Sequence, residues 1–178
     1  TITHTHQPIA QAITDVVTAF ANAPITNVDG TEGIRLHVDY GKDAPLTYGV
    51  AATWGALSKS DAVTHSVYLG EAPGGNFSWS GFDAIKANHF TTARAAVFHY
   101  NIWSHQLAPG SYSSGISRDL PASDFIVTLG PWGGTDQYAG VGTPRAQAGT
   151  FMHELGHNLG LHHGGADDTQ YKPNYLSV

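Results

Sequence analysis

The sequence predicts a single domain of the α+β or mixed α/β class. Three observations lead to this class: an amphipathic helical pattern near the amino end, two apolar runs of strand length in the middle, and a second helical pattern after them. A chain of 178 residues with 41% hydrophobic content is one domain by size and can bury a substantial core. We therefore expect residues 1–178 to form one folded unit in which helices pack on a sheet.

Two elements are predicted in the first forty residues. A helix is expected over residues 8–22, because apolar residues recur there at helical spacing and Pro24 prevents its continuation. A half-buried strand is expected over residues 33–40, where apolar and polar residues alternate. This alternation places His37 on the outward face.

The middle of the chain is predicted to hold most of the sheet. Residues 41–81 are rich in Gly, Pro and Ser and are expected to be loop-dominated, with a short strand or helix at residues 61–69. A short helix is expected to open at residues 83–88, and a central, largely buried strand at residues 95–103, in which His99 would be a core histidine with a hydrogen-bond partner. Further strands are expected at residues 111–118 and 124–129.

A second long helix follows a glycine-rich loop. Glycines and Trp132 indicate a surface loop over residues 130–142, and Thr143 with Pro144 suits the N-cap and first position of a helix that reaches Leu159. Small residues in its first half would let it pack closely against the sheet. Such packing would hold the side chains of the second half rigidly.

Composition excludes several classes of partner. The formal net charge of −6 without a basic cluster argues against nucleic acid and anionic membranes, and no apolar run approaches the length of a membrane span. There is no cysteine, so thiols say nothing about the redox compartment. A charged fraction of only 12% is common in secreted bacterial hydrolases. We expect a secreted, monomeric protein whose signal and any pro-segment have been removed, because the amino end lacks signal-peptide character.

Residues 153–163 contain the pattern H-E-x-x-H-x-x-G-x-x-H. On a helix, His153 and His157 lie one turn apart on the same face and can reach one ion. A third ligand, His163, needs a change of chain direction, and Gly160 can take the positive φ that ends a helix. Three neutral nitrogen ligands leave one tetrahedral position of a zinc ion to water, and Glu154 stands where a general base would accept its proton.

The pattern is specific despite the high histidine content of the chain. With 11 histidines in 178 residues, a bare His-x-x-x-His pair would be weak evidence. All five fixed positions together arise by chance in about one of ten thousand chains of this composition. A surface helix with solvated histidines is therefore the weaker interpretation.

The motif resembles that of the metzincin clan of zinc endopeptidases, whose long consensus carries a third histidine after a glycine. The resemblance implies that His153, His157 and His163 bind one catalytic zinc ion, that Glu154 is the general base and that Gly160 is the turn residue. It also implies a twisted, mostly parallel sheet with an antiparallel edge strand, packed on a backing helix and an active-site helix over residues 143–160.

The sequence departs from the metzincin pattern after the third histidine. Metzincins have a methionine turn beneath the zinc ion, whereas the only methionine here, Met152, lies inside the predicted helix. Residues 171–178 resemble the approach to such a turn, so we expect the carboxyl-terminal subdomain that begins after residue 163 to be cut short. Gly164 matches none of the serine, glutamate or aspartate that follow the third histidine in matrixins, astacins and adamalysins, and the subfamily stays unassigned.

The resemblance places an edge strand beside the zinc cleft, at Ser113, Ser114, Gly115 and Ile116. An edge strand offers backbone groups with which an extended peptide can pair. An ordinary hairpin without substrate contact is the equal alternative.

The motif and the resemblance together predict a zinc-dependent endopeptidase that cleaves extended polypeptides. Two alternatives stay open: a truncated or noncatalytic zinc-binding module derived from a protease, and a zinc amidase that acts on another amide.

The remaining candidates favour ordinary structural roles. Asp167 and Asp168 could bind calcium, but an acidic surface loop is favoured. For His4 and His6, a frayed terminus is favoured over metal binding in trans or an inhibitory segment. The other histidines, which lack ligand spacing and are expected to be scattered polar residues, are His65, His89 and His105.

Overall fold

A computed structural model describes residues 4–47, 49–133 and 137–169. In these residues it contains helices α1 (Ala10–Ala21), α2 (Ser80–His89), α3 (Thr92–Ala95) and α4 (Pro144–Asn158), and strands β1 (Tyr100–Ser104), β2 (Gly115–Ser117) and β3 (Asp124–Thr128). This element content is consistent with the predicted α+β class. The chain forms two compact units, one made of Thr1–His6 with His65–Val178 and the other of Gln7–Thr64.

The sheet of the first unit is mixed. Its strand order is β1-β3-β2; β1 runs parallel to β3, and β2 runs antiparallel to it at one edge. The antiparallel edge strand agrees with the prediction, but the described sheet has one pair of each kind and is not mostly parallel. The central strand is β3, whose five residues are all buried.

Helices cover both faces of this sheet. On one face Ile102 and Ile126 pack with Phe82 of α2. On the other face the Phe125 ring lies 5.5 Å from the ring of Phe151 in α4. Neighbouring residues of a strand point to opposite faces, which is why Phe125 and Ile126 meet different helices. α2 and α4 thus form the outer layers of a three-layer arrangement, with the sheet between them.

The second unit contains α1 followed by irregular chain. The predicted helix is present, with Ala12, Ile13 and Val16 buried. The prediction of a strand over residues 33–40 is wrong, because this segment is not regular strand. Its backbone instead bonds to turns and side chains. For example, the Trp54 indole donates a hydrogen bond to the Val38 carbonyl at 2.9 Å. A half-buried strand needs a paired neighbour, and no strand pairs with this segment in the described chain. His37 is exposed, as predicted.

Two further predictions in the middle of the chain are corrected. Strand β1 begins only at Tyr100, because residues Thr92–Ala95 are helical and Val97 is 76% exposed; β1 is also an outer strand of the described sheet. His99 has its predicted hydrogen-bond partner but is exposed. Residues 61–69 form neither strand nor helix, although Tyr68 makes an isolated parallel bridge to Gln106.

The domain prediction and the methionine-turn hypothesis are not settled by this arrangement. Residues 171–178, on which that hypothesis depends, lie outside the described residues. Among the residues that are described, no helix has the length and apolar character to cross a membrane.

Candidate metal centre

Helix α4 carries the first part of the candidate site, and its start and packing hold it in place. The Thr143 hydroxyl accepts a hydrogen bond from the Ala146 N–H at 3.2 Å, and Pro144 occupies the first turn, as predicted. Inside the helix, Phe151 and Leu155 are buried, and the Phe151 ring packs against Phe125 of β3. This packing holds the polar second half of α4 in a fixed position against the sheet.

Three histidines converge at the end of α4. His153 and His157 lie one turn apart, and their Nε2 atoms are 3.0 Å from each other. The ring of His163 has its centroid 5.3 Å from that of His153 and 4.8 Å from that of His157. One nitrogen from each of the three rings lies within 4.8 Å of the others. The structure thus brings together the three residues that the motif nominated as ligands.

The chain reverses immediately after the helix so that His163 can return to it. Helix α4 ends at Asn158, and Gly160 has a φ of 92°, in the left-handed region that side chains other than glycine rarely adopt. The Leu161 N–H donates to the Gly156 carbonyl at 2.9 Å, which closes the turn. The glycine is therefore part of the geometry that delivers the third ring.

The donor set fits a zinc ion. Zinc–nitrogen bonds of about 2.0–2.1 Å in a tetrahedral site put two ligand nitrogens about 3.3 Å apart. The His153–His157 separation of 3.0 Å is close to that value. In addition, His157 Nδ1–H donates to the Leu161 carbonyl at 2.6 Å, so Nε2 of this ring is the nitrogen that could bind an ion.

The surroundings of His153 keep its imidazole neutral. Burial, followed by the neighbouring rings of His157 and His163, lowers the pKa of His153 to about 4. A neutral imidazole has a free lone pair near pH 7, which metal binding requires.

Glu154 is buried against strand β2, with 5% of its surface exposed. Burial raises the pKa of its carboxyl group to about 7, and a hydrogen bond from the Ser117 backbone N–H opposes this rise. Strand β2 is close enough that a Cβ at Gly115 would lie 2.9 Å from Glu154 Oε1. A carboxyl group with a pKa near neutrality can both accept and return a proton.

The edge strand lies beside this carboxyl group. The Ser114 carbonyl accepts from the Thr128 N–H at 2.6 Å, and the Arg118 N–H donates to the Asp124 carbonyl at 3.0 Å. The alternation of an antiparallel ladder then turns the backbone of Gly115 and Ser117 to the outer edge. Of the predicted substrate-binding residues, Gly115 and Ile116 are in β2, and Ser113 and Ser114 directly precede it. Their contact with substrate stays a prediction.

Asn158 joins the end of α4 to the sheet. Its side chain is 2% exposed and donates to the Ser117 hydroxyl at 2.7 Å and the Asp124 carbonyl at 3.1 Å. Its Oδ1 accepts from His99 at 2.9 Å. This residue, which sequence reasoning missed, lies next to His157 in the chain. Its hydrogen bonds hold the end of α4 in position against the sheet. The only sequence signal for it was an asparagine between His157 and Leu159 at the predicted end of the helix.

The side chains of the acidic segment after His163 form hydrogen bonds within that segment and with His162. His162 Nδ1–H donates to Asp168 at 3.0 Å, and Asp167 accepts from the Thr169 N–H at 2.8 Å. His162 therefore belongs to this loop, in keeping with its lack of a ligand position in the motif.

A second group of histidines was also missed. Contrary to the prediction that His4 and His6 belong to a frayed terminus and that His65 and His105 are scattered, the structure gathers these four rings into one cluster. His89 lies outside it. The alternating positions of His4 and His6 were a usable signal, but spacing along the chain could not show that residues 65 and 105 meet them.

Comparison with known proteins gives one family. The family model for Peptidase M66 matches residues 87–177, just over half of the chain, and this range contains the whole histidine motif, Glu154 and the edge strand. No curated protein and no solved structure matched the chain. The chain belongs to the Peptidase M66 family, a family of metallopeptidases.

Proposed function

We propose that this peptidase is a zinc-dependent endopeptidase of the metzincin type, with zinc held by His153, His157 and His163. The observation that carries the proposal is the convergence of three imidazole nitrogens within 4.8 Å of one another, on a helix that also carries a buried carboxyl group with a raised pKa. Retention of Glu154 and membership of a peptidase family favour catalysis over a noncatalytic binding module.

The chemistry divides between the ion and the protein. A zinc ion with three neutral nitrogen ligands supplies a Lewis acid that polarises the scissile carbonyl and acidifies water. The Glu154 carboxylate accepts a proton from the attacking water as the new C–O bond forms. It then delivers that proton to the nitrogen of the leaving amine as the C–N bond breaks. Burial raises the pKa of this carboxyl group, which favours its holding the proton between the two transfers.

The second role of the protein is to position Glu154. The Ser117 N–H donates to its carboxylate, and the surrounding burial keeps bulk water away. Because Ser117 is part of β2, the strand that would pair with an extended peptide also orients the base. We propose that the substrate chain lies along the outer edge of this strand, beside Ser113, Ser114, Gly115 and Ile116.

The test compares two glutamine variants of the full chain on a quenched fluorescent peptide library. Glu154→Gln removes the basic carboxylate and replaces it with an amide of the same shape. We expect kcat to fall by about 10²–10⁴-fold with zinc content unchanged. Glu71→Gln, at an exposed glutamate, is the matched control and should keep full activity.

Zinc dependence is tested on the same substrates. A chelator should abolish cleavage of the wild-type chain, and added zinc should restore it. Full activity of Glu154→Gln, or cleavage that resists metal removal, contradicts the mechanism. A chain that leaves the peptide library intact but cleaves an added nonpeptide amide substrate would be an amidase instead.

A further inference from the structure

Four histidines outside the proposed zinc site form a second convergent group, which we call the four-histidine cluster: His4, His6, His65 and His105. One ring nitrogen from each lies within 4.8 Å of the others. The Nε2 atoms of His6 and His65 are 3.3 Å apart, which is the separation of about 3.3 Å expected for two ligands of one tetrahedral zinc ion. All four residues belong to the same compact unit of the chain.

Backbone hydrogen bonds fix the segments that carry two of these rings. His105 directly follows strand β1, and its carbonyl accepts from the Gly130 N–H at 2.9 Å. The Leu69 N–H donates to the Gln106 carbonyl at 3.0 Å, so the chain after His65 runs beside the chain after His105. The cluster is thus attached to the edge of the sheet.

Two glycines make room for the rings. A Cβ at Gly130 would lie 2.6 Å from His105 Cγ and Nδ1, and a Cβ at Gly140 would lie 2.6 Å from His4 Cε1. Atoms cannot approach this closely, so alanine at either position would displace a ring. Close packing on two sides therefore constrains where the imidazoles point.

The rings carry buried nitrogens whose bonding needs are unmet within the described part of the chain. These atoms are His4 Nε2, His65 Nδ1 and His105 Nδ1. A buried polar atom without a partner is costly, and native proteins nearly always satisfy such atoms. Three of them in one cluster of metal-binding side chains indicate that a ligand supplies bonds there.

The neighbouring rings also disfavour positive charge. Burial, followed by the neighbouring imidazoles, lowers the pKa of His6 to about 4, and burial likewise lowers the pKa of His105. Neutral imidazoles repel less and offer the lone pairs that a cation requires.

We propose that the four-histidine cluster is a second metal site, which binds a divalent transition-metal ion, with zinc the first candidate. Imidazole ligands suit zinc, copper, nickel and iron, and zinc accepts a tetrahedral set without a preferred distortion. Four protein ligands fill a tetrahedral shell, so this site leaves no position for a reacting water and is structural. The family match begins at residue 87 and includes only His105 of the four.

The position of the ligands along the chain suggests what the ion does. His6 and His65 directly flank the second compact unit, Gln7–Thr64. An ion bound by both residues closes the intervening segment into a loop, as a cross-link does, and restricts the unfolded chain. The site therefore stabilises the point at which the chain leaves the first unit and returns to it.

The test measures metal content of the 178-residue chain after zinc loading and removal of loose metal. We expect two zinc ions per wild-type chain and per Glu154→Gln chain. His6→Ala and His105→Ala should each retain one, as should His157→Ala, which removes the other site. His89→Ala, a histidine outside both clusters, is the matched control and should retain two.

A second measurement uses only the wild-type chain and so does not depend on how the variants fold. Cobalt(II) titrated into the metal-free wild-type chain should give tetrahedral absorption that saturates at two equivalents. In addition, thermal unfolding of His157→Ala should still shift upward with added zinc. One equivalent in the wild-type chain together with none in His157→Ala, or two equivalents in His6→Ala, overturns the second site and leaves the proposed peptidase mechanism untouched. Loss of both ions from His157→Ala, with two ions kept in Glu71→Gln, would show that the clusters do not bind independently and would also overturn the second site.

Discussion

Gly115 lies directly against Glu154: a Cβ at position 115 would come within 2.7 Å of Glu154 Cγ and 2.9 Å of Oε1. The absence of a side chain on the edge strand is therefore what allows the buried carboxyl group to occupy its place. The same Cβ would lie 2.6 Å from the Ile126 carbonyl oxygen, so the strand itself cannot easily move away.

Gly115→Ala is expected to displace Glu154 and to lower kcat by about 10-fold or more, because a misplaced catalytic group loses rate steeply with distance. Zinc content should stay the same, since the metal-binding side chains are elsewhere on α4 and in the loop after it. Peptide cleavage and metal analysis of the purified variant check both statements.

Gly149→Ala is the matched control for this substitution. Gly149 is in α4 with nothing within 4 Å of a built Cβ, so alanine should leave activity unchanged and slightly favour the helix. Equal activity of the wild-type chain and the Gly115 variant would mean that contact with β2 does not position the base.

The raised pKa of Glu154 predicts a pH-dependent stability of the metal-free chain. The pKa rises from 4.5 in the unfolded chain to about 7 in the folded one, so between these values the folded state retains a proton that the unfolded state has lost. The stabilisation that Glu154 contributes is fully present below about pH 4.5 and is lost as pH rises past 7. The free energy of unfolding falls by about 3 kcal/mol over this range.

Glu154→Gln isolates this contribution, because glutamine does not titrate. Urea unfolding in the presence of chelator should show that the variant gains stability over the wild-type chain as pH rises from 5 to 8.5. The lowered pKa of His153 has the opposite pH dependence: its stabilisation is full above about pH 6.5 and is lost as pH falls toward 4. Because both chains contain His153, this effect cancels in the difference between their free energies of unfolding. A constant difference across this range would contradict the burial of a charged carboxylate.

The sequence predicted the elements that local rules determine. Helices α1 and α4 follow from apolar spacing and from the Thr143–Pro144 start, and the turn at Gly160 follows from the need for positive φ. The convergence of His153, His157 and His163 is local in the same sense, because one helical turn and one reversal bring the three rings together.

The sequence could not predict features that depend on long-range pairing. Residues 33–40 alternate like a strand but lack a partner in the described chain, and burial of residues 95–99 was overestimated because apolar content does not show which side the sheet occupies. The four-histidine cluster depends on the bridge that brings Tyr68 to Gln106, a contact that spacing along the chain does not encode.

Asn158→Ala is expected to destabilise the chain by about 2–3 kcal/mol, because the Asp124 carbonyl and the Ser117 hydroxyl would lose their buried donor. The end of α4 would also lose its anchor, so zinc affinity should fall. Denaturant unfolding and a competitive zinc titration measure the two effects.

Asn88→Ala provides the comparison for Asn158. Asn88 is exposed on α2 and, among the residues that the structure describes, donates to the Ala84 carbonyl within its own helix, at 2.8 Å. Its removal should change the free energy of unfolding by less than about 0.5 kcal/mol. Equal effects of the two substitutions would show that the Asn158 hydrogen bonds do not hold the helix to the sheet.

Gly160→Ala tests whether the reversal after α4 delivers the third ligand. Alanine at a φ of 92° is strained, and relief of that strain would shift the chain that leads to His163. We expect a loss of about 1–2 kcal/mol in stability and a fall of about 10-fold or more in zinc affinity at the catalytic site. Gly110→Ala imposes comparable strain, at a φ of 76° in an open position, and should lower stability without changing that affinity. Because both variants carry the same backbone cost, a difference in zinc binding between them reports the placement of His163 alone, and equal affinities would show that His163 reaches the ion without this turn.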